Sequence, residues 1–127
     1  MNKKISSAFV FLIVSFLSAG VDADVLKIRN FTKSVTTAGT RVQLTTASIR
    51  VPSVVIQALN GNTNPVFVGN DRVSSTLYFV RLTANNTVSI SAFSSGSGVL
   101  LVDLSSIWLD STTNGEGVNV GYMEQAN

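Results

Sequence analysis

The feature that most constrains the fold is a succession of short apolar runs, each followed by residues that favour turns. Residues 53–59 form a β-branched, strongly apolar run, and residues 87–91 alternate between polar and apolar side chains. Residues 60–65 read Asn-Gly-Asn-Thr-Asn-Pro, a turn in which Asn and Gly supply positive φ angles and Pro ends the segment. Apolar runs of this length and period predict strands rather than helices.

The same pattern continues along the rest of the chain. We predict further strands at residues 25–31, 41–44, 66–68, 77–82, 107–109 and 118–122, a buried strand at 99–102, a flexible loop at 93–98 and a 3₁₀ turn at 104–106. No sustained 3.6-residue period follows residue 24, so crossover helices are missing and a βαβ fold is excluded. The sequence therefore predicts an all-β domain, a compact antiparallel β-sandwich of jelly-roll or Greek-key type with about 8 strands.

The N-terminal segment differs from the rest of the chain. Lys3 and Lys4 precede a mostly apolar stretch at residues 5–17, and small or compact residues follow as far as Ala23. This is the three-part pattern of a secretory signal peptide, with cleavage after Ala23 or, as an alternative, after Gly20. The apolar stretch lies at or below the ~17–25 residues of a membrane span, and a retained anchor or a packed helix are the other two interpretations.

We therefore divide the chain into a signal-peptide-like or anchor segment at residues 1–23 and a β-domain at residues 24–127. The chain contains no Cys and no His, which excludes thiolate catalysis, disulfides, zinc sites built on these residues and a His general base. The 9 Lys and Arg residues nearly balance the 7 Asp and Glu residues, and no basic run provides a nucleic-acid groove. These absences predict a non-enzymatic protein without cofactor or nucleic-acid partner.

Two sets of acidic residues are candidates for chemistry. Asp103 and Asp110 flank residues 104–109 like a glycosidase pair, but Asp103 capping the turn and Asp110 opening a loop explain both. A second set offers oxygen ligands for Ca²⁺, namely Asn70, Asp71, Asp110 and Glu116. The spacing of this set matches no known calcium loop. We therefore interpret both sets as turn residues, with neither a catalytic nor a metal site.

Trp108 and Tyr122 are the candidate contact residues for a ligand, because an exposed Trp and Tyr can stack on sugar rings. Trp108 stands between Ile107 and Leu109 in a predicted strand, so its side chain points to the face opposite theirs. A single Trp in a small sandwich is more often a core residue, and this is the competing interpretation. The other large aromatic residues are interpreted as core or subunit contacts: Phe67, Tyr78, Phe79 and Phe93.

Several short motifs occur together in this chain. They are Thr-Ala-Gly-Thr-Arg-Val-Gln-Leu at residues 37–44, Asn-Pro-Val-Phe-Val-Gly at 64–69, Asp-Leu-Ser-Ser-Ile-Trp-Leu-Asp at 103–110 and Gly-Glu-Gly-Val-Asn-Val at 115–120. In these motifs the chain resembles small β-sandwich virion proteins of bacteriophages and prophages, of the head-decoration or fibre-like type. The resemblance covers roughly residues 35–122, which is almost the whole β-domain.

The resemblance implies a structural protein that decorates or cements the capsid, or forms part of a projecting fibre or spike. It implies capsid or other virion proteins as partners, a homo-oligomeric state and a location in the virion, with no catalytic residues. Virion proteins normally need no signal peptide, so residues 1–23 favour an alternative: an exported, periplasmic or secreted β-sandwich module that binds a glycan or a protein. Membrane contact is expected only if residues 1–23 are retained.

Overall fold

The computed structural model describes residues 25–125, which form an all-β fold with antiparallel sheets. The strands are β1 (Leu26–Ser34), β2 (Val42–Gln43), β3 (Arg50–Val51), β4 (Ser53–Ala58), β5 (Val66–Gly69), β6 (Val80–Leu82), β7 (Thr87–Ser91), β8 (Phe93–Ser95), β9 (Gly98–Leu100), β10 (Val102–Asp103), β11 (Trp108–Ser111) and β12 (Gly117–Gln125). The predicted 3₁₀ turn is present at Leu104–Ser106 and is the only helical element within the described residues. The all-β prediction is confirmed, whereas the predicted leader at residues 1–23 lies outside the described residues.

The first four-stranded sheet has the order β1-β12-β4-β7, with antiparallel neighbours throughout. In β4, buried and exposed residues alternate, and Val54, Ile56 and Ala58 face the core. β12 and β7 pair with its two edges, so the predicted strand at residues 53–59 lies in the interior of the sheet. β1 and β12 extend further than β4, so residues 26–28 and 123–125 continue beyond it as a two-stranded ribbon.

The second four-stranded sheet has the order β2-β11-β5-β6 and is also open at both edges. Leu109 in β11 pairs with Val68 in β5, and both side chains are buried in the core. Trp108 and Asp110 flank Leu109 and therefore lie on the outer face of this sheet. Two shorter antiparallel pairs complete the fold: β3 with β10, and the hairpin β8–β9.

One hydrophobic cluster joins the two four-stranded sheets. It contains Val54, Ile56, Ala58, Val118 and Val120 from the first sheet, Val66, Val68, Leu82 and Leu109 from the second, and Val35, Leu44, Val51, Leu104 and Ile107 from the other segments. Each such side chain contributes roughly 1.5–3 kcal/mol on burial. In a chain without Cys, this shared cluster is the main source of stability.

The strand registers define two ends of the molecule. At the closed end, which comprises the segments 60–65 and 112–116, loops are held by side chains: Asn62 exchanges two hydrogen bonds with the backbone of Gly117. The carboxylate of Glu116, only 5% exposed, accepts hydrogen bonds from the backbone N and Oγ1 of Thr63 at 3.1 and 2.8 Å. The β1–β12 ribbon marks the opposite end.

Three predicted segments at the ribbon end are wrong in detail. Residues 93–98 are not a flexible loop, because they start a hairpin in which Phe93 pairs with Leu100 and Gly98 adopts a φ of 141°. The predicted buried strand at 99–102 is exposed over residues 99–101, and the predicted strand at 77–82 begins only at Val80. Apolar runs indicate a tendency to leave water, but they do not say which surface covers them.

Asp110 and the number of strands also differ from the prediction. Asp110 lies within β11 instead of opening a loop, although its Oδ1 accepts a hydrogen bond from the next backbone N, that of Ser111, at 2.8 Å. The described residues form twelve strands rather than about 8, because β3 and β8 are additional and the predicted strand at 99–102 is divided between β9 and β10.

Candidate interaction surface

Large apolar side chains are exposed mainly at the end of the molecule that carries the β1–β12 ribbon. We call this the apolar end, and it comprises Val25, Leu26, Ile28, Leu77, Tyr78, Phe79, Phe93, Val99, Leu100, Leu101 and Met123. Among the described residues, Val55 on the outer face of the first sheet is the one other large apolar residue that is exposed. Three structural elements build this end: the ribbon, the β8–β9 hairpin and the loop that precedes β6.

The ribbon has one apolar and one charged face. Ile28 pairs with Met123 on the apolar face, and Ile28 is 80% exposed. On the opposite face Nε of Arg29 donates a hydrogen bond to Glu124, which raises the pKa of the guanidinium. An isolated two-stranded ribbon with a bare apolar face is marginally stable in water, so this face is suited to burial by another surface.

The β8–β9 hairpin continues from β7 at the same end. All six strand residues are exposed, and the direct pair Phe93–Leu100 places both apolar side chains on one face. The backbone N of Ala92 donates to the carbonyl of Pro52, which fixes the base of the hairpin beside β4. The hairpin therefore projects from the sheet, and no part of the chain between residues 25 and 125 covers it.

The loop before β6 borders an apolar cavity between the two sheets. The cavity has a volume of about 420 Å³, with Val68, Ile90 and Ile107 on its inner side and Leu77, Tyr78 and Phe79 at its rim. Tyr78 stacks obliquely on the buried Phe67, with ring centroids 5.2 Å apart. Phe79, in contrast, is 72% exposed. Phe67 is thus buried beneath Tyr78, whereas Tyr78, Phe79 and Phe93 are exposed, so that for these three a subunit contact stays the prediction.

The size of the apolar end indicates an interface. Its side chains together expose on the order of 1,000 Å², if a fully exposed apolar side chain offers roughly 150–200 Å². Monomeric proteins rarely expose apolar patches above about 300–600 Å². A standard protein interface takes about 800 Å² from each partner. The apolar end is therefore large enough to be one side of a stable interface.

Trp108 lies on the outer face of the second sheet, where it pairs with Gly69 of β5. It is half-buried and borders an open polar cleft of about 540 Å³, together with Gly39, Thr40, Arg41 and Asp71. Nη1 of Arg41 donates a hydrogen bond of 2.6 Å to the carbonyl of Asp71. The side chain of Trp108 points away from the buried Ile107 and Leu109, as the alternation along this strand predicted. Sequence reasoning identified the Trp but not the cleft, since Arg41 and Asp71 are 30 positions apart.

Tyr122 lies on the core-facing side of the first sheet, where its ring meets Phe31 edge to face at 6.4 Å. Trp108 belongs to the outer face of the second sheet. The two candidate contact residues therefore do not form one stacking platform. Tyr122 is half-buried against the core, and Trp108 alone borders an open cleft.

The candidate acidic residues are dispersed. Asp103 caps the 3₁₀ turn as predicted, and hydrogen bonds from Ser48 and Ser105 lower the pKa of its carboxyl to about 2. Asp71 lies at the Trp108 cleft, whereas Glu116 is engaged with Thr63 at the closed end. Within residues 25–125, no three acidic side chains converge in a way that could hold a metal ion.

No protein-family model matches the chain, and the search of curated proteins finds no match either. In the part of the chain that the structure describes, no helix is long and apolar enough to cross a membrane.

Proposed function

We propose that this protein is a non-enzymatic structural subunit of a bacteriophage virion, which decorates or cements the capsid or forms part of a projecting fibre or spike. The observation that carries this proposal is the apolar end. A surface of this size with Ile28 and Phe79 largely exposed favours permanent burial against other protein. The motifs at residues 64–69 and 103–110 supply the type of assembly, because they resemble those of phage virion proteins.

The proposal includes a β-sandwich of jelly-roll-like topology for residues 24–127. The two open antiparallel sheets share one hydrophobic cluster, which supports this arrangement. The proposed partners are capsid or other virion proteins and further copies of the same chain. The ribbon that follows residues 1–23 lies at the apolar end, so a retained segment would leave the domain on the side of the proposed interface.

A purely structural role agrees with the chemistry of the polar groups. The chain has no Cys or His, and the buried carboxylates of Asp110 and Glu116 accept hydrogen bonds from the backbone of Ser111 and Thr63. Groups that are occupied in this way stabilise loops and are poorly placed to act on a substrate.

Mass spectrometry of purified phage particles tests the proposal. We expect the protein at a constant number of copies per particle, and its N-terminal peptide from these particles will show whether residues 1–23 are retained. The variant Phe79→Ser is expected to reduce incorporation, because it removes exposed apolar surface without touching the core. A protein that is absent from particles and free in the periplasm or medium would overturn the proposal.

A second candidate function is an exported module that binds a glycan. The cleft at Trp108 favours it, because a half-buried indole beside Arg41 and Asp71 combines a stacking surface with polar groups. Calorimetric titration with glycans of the host surface, comparing the natural protein with Trp108→Ala, tests this candidate. Loss of binding in the variant would support it, and equal behaviour of the two proteins would exclude it.

A further inference from the structure

The β8–β9 hairpin is an apolar projection without charge. No charged residue occurs between Arg81 and Asp103, and the hairpin lies within this stretch. Phe93 and Leu100 are directly opposite each other and are 64% and 52% exposed. A two-stranded hairpin gains little stability by itself, so its apolar face needs a complementary surface.

The cavity beside the β6 loop is complementary to this projection. Its lining carries no charge, and the side chains of residues 25–125 leave a volume of about 420 Å³ open. Since a benzene ring fits a cavity of roughly 150 Å³, this space can hold a Phe ring together with a Leu side chain. The cavity opens to the surface between Leu77 and Phe79, so an apolar group of another molecule can enter it.

We propose that Phe93 and Leu100 of one copy insert into the cavity of a second copy, whose rim is formed by Leu77 and Phe79. Hairpin and cavity lie at the same end, because Ile90 at the end of β7 lines the cavity and Phe93 follows three residues later. A two-fold axis through the apolar end therefore allows both copies to insert at once. Such an isologous contact closes as a dimer.

The area and the charges favour a second copy over a lipid bilayer. The apolar end offers on the order of 1,000 Å², which is what each partner of a stable dimer contributes. Apolar tips that enter a membrane are flanked by cationic side chains available to anionic lipids. The β8–β9 hairpin, which would enter first, carries no cationic residue, and Arg29 of the ribbon is paired with Glu124. The inference deepens the proposed function and rests on it, since it takes the apolar end as an assembly surface.

Sedimentation equilibrium of the full chain measures the dimer directly. We expect a dimer whose dissociation constant rises at least tenfold in Phe93→Ser, and equally in Leu77→Asp, which places a charge at the cavity rim. The matched control is Thr112→Asp, which places the same charge on an exposed residue of the closed end and is expected to leave the constant unchanged. Circular dichroism of each variant confirms that the fold is retained.

Cross-linking locates the contact, because the natural chain has no Cys. Single-cysteine variants Val99→Cys and Ser75→Cys are mixed and treated with a short bismaleimide, so any link between positions 99 and 75 joins two copies. We expect this link, and none between Val99→Cys and the control Thr112→Cys at the closed end. A link to position 112 in place of position 75 overturns the inference.

The outcomes separate this inference from the proposed function. A natural protein that is monomeric, or that binds phosphatidylcholine–phosphatidylglycerol vesicles as a monomer, overturns the paired insertion. If the same protein is a constant component of purified particles, the virion proposal stands without the paired insertion. A dimer that is linked between positions 99 and 75 but is absent from particles would support the paired insertion and overturn the virion proposal.

Discussion

Glu116 provides the most quantitative test of how the closed end is held. Its buried carboxylate accepts hydrogen bonds from the backbone N and Oγ1 of Thr63, which lies 53 positions away. Hydrogen bonds to a charged group contribute about 1.5–3 kcal/mol, against about 0.5–1.5 kcal/mol for neutral pairs. Glu116→Gln preserves the shape and one acceptor oxygen, so we expect the free energy of unfolding to fall by about 1–2 kcal/mol.

Urea unfolding monitored by fluorescence measures this loss, because Trp108 is the only Trp in the chain. A loss of about 1–2 kcal/mol corresponds to a melting temperature lower by roughly 5–12 °C in a domain of this size. Thr63→Val removes only the hydroxyl donor and is expected to cost about 1 kcal/mol, with a smaller effect in the Glu116→Gln background. If Glu116→Gln unfolds within about 0.5 kcal/mol of the natural protein, the clamp contributes no net stability and the reasoning is wrong.

Three further predictions concern the packing of the core, the close contact of Gly117 with the backbone of Lys33, and the loss of stability at low pH. Leu109→Ala leaves a cavity between the sheets and should lower the unfolding free energy by about 2–5 kcal/mol in urea titrations; a loss below about 1 kcal/mol would contradict its central position. Gly117→Ala would bring a Cβ to 2.8 Å from the carbonyl of Lys33, so we expect a loss of about 1–3 kcal/mol and would abandon the steric argument if the two proteins were equally stable. The pKa of Asp103 is lowered from 3.8 to about 2, because the hydroxyl of Ser48 and the hydroxyl and backbone N of Ser105 donate hydrogen bonds to the carboxylate. The contribution of Asp103 to the free energy of unfolding is therefore complete above about pH 4 and is lost as the pH falls towards 2. Urea midpoints measured across this range should decline less in Asp103→Asn, and parallel curves would show that Asp103 is not responsible.

The sequence predicts those strands whose two faces differ. In β7 polar and apolar residues alternate, and this alternation determines both the strand and the side that faces the core. In β4 the β-branched, apolar run predicts the strand but not which residues face the core. The turn at residues 60–65 can be predicted equally well, because the backbone preferences of Asn, Gly and Pro do not depend on distant parts of the chain. The alternation around Trp108 likewise gave the correct face of that residue.

The interaction surface is less accessible from sequence, because it depends on contacts that distant segments do not make. Val99 and Leu100 have the composition of a buried strand, yet the hairpin they form has no covering layer within the described residues. Leu77 and Phe79 similarly continue the apolar run of β6, but they border a cavity instead of joining the sheet. The clamp of Glu116 on Thr63 joins two turns that no local pattern relates.

The central claim is that the apolar end is buried when the protein is assembled. Hydrogen–deuterium exchange of the protein in purified particles, compared with the free protein, tests it most directly. We expect the assembled protein to be protected at residues 25–28, 77–79 and 93–101, with the closed-end segments 60–65 and 112–116 unchanged. Protection confined to the closed end, or equal exchange of residues 77–79 and 93–101 in both states, would contradict the claim.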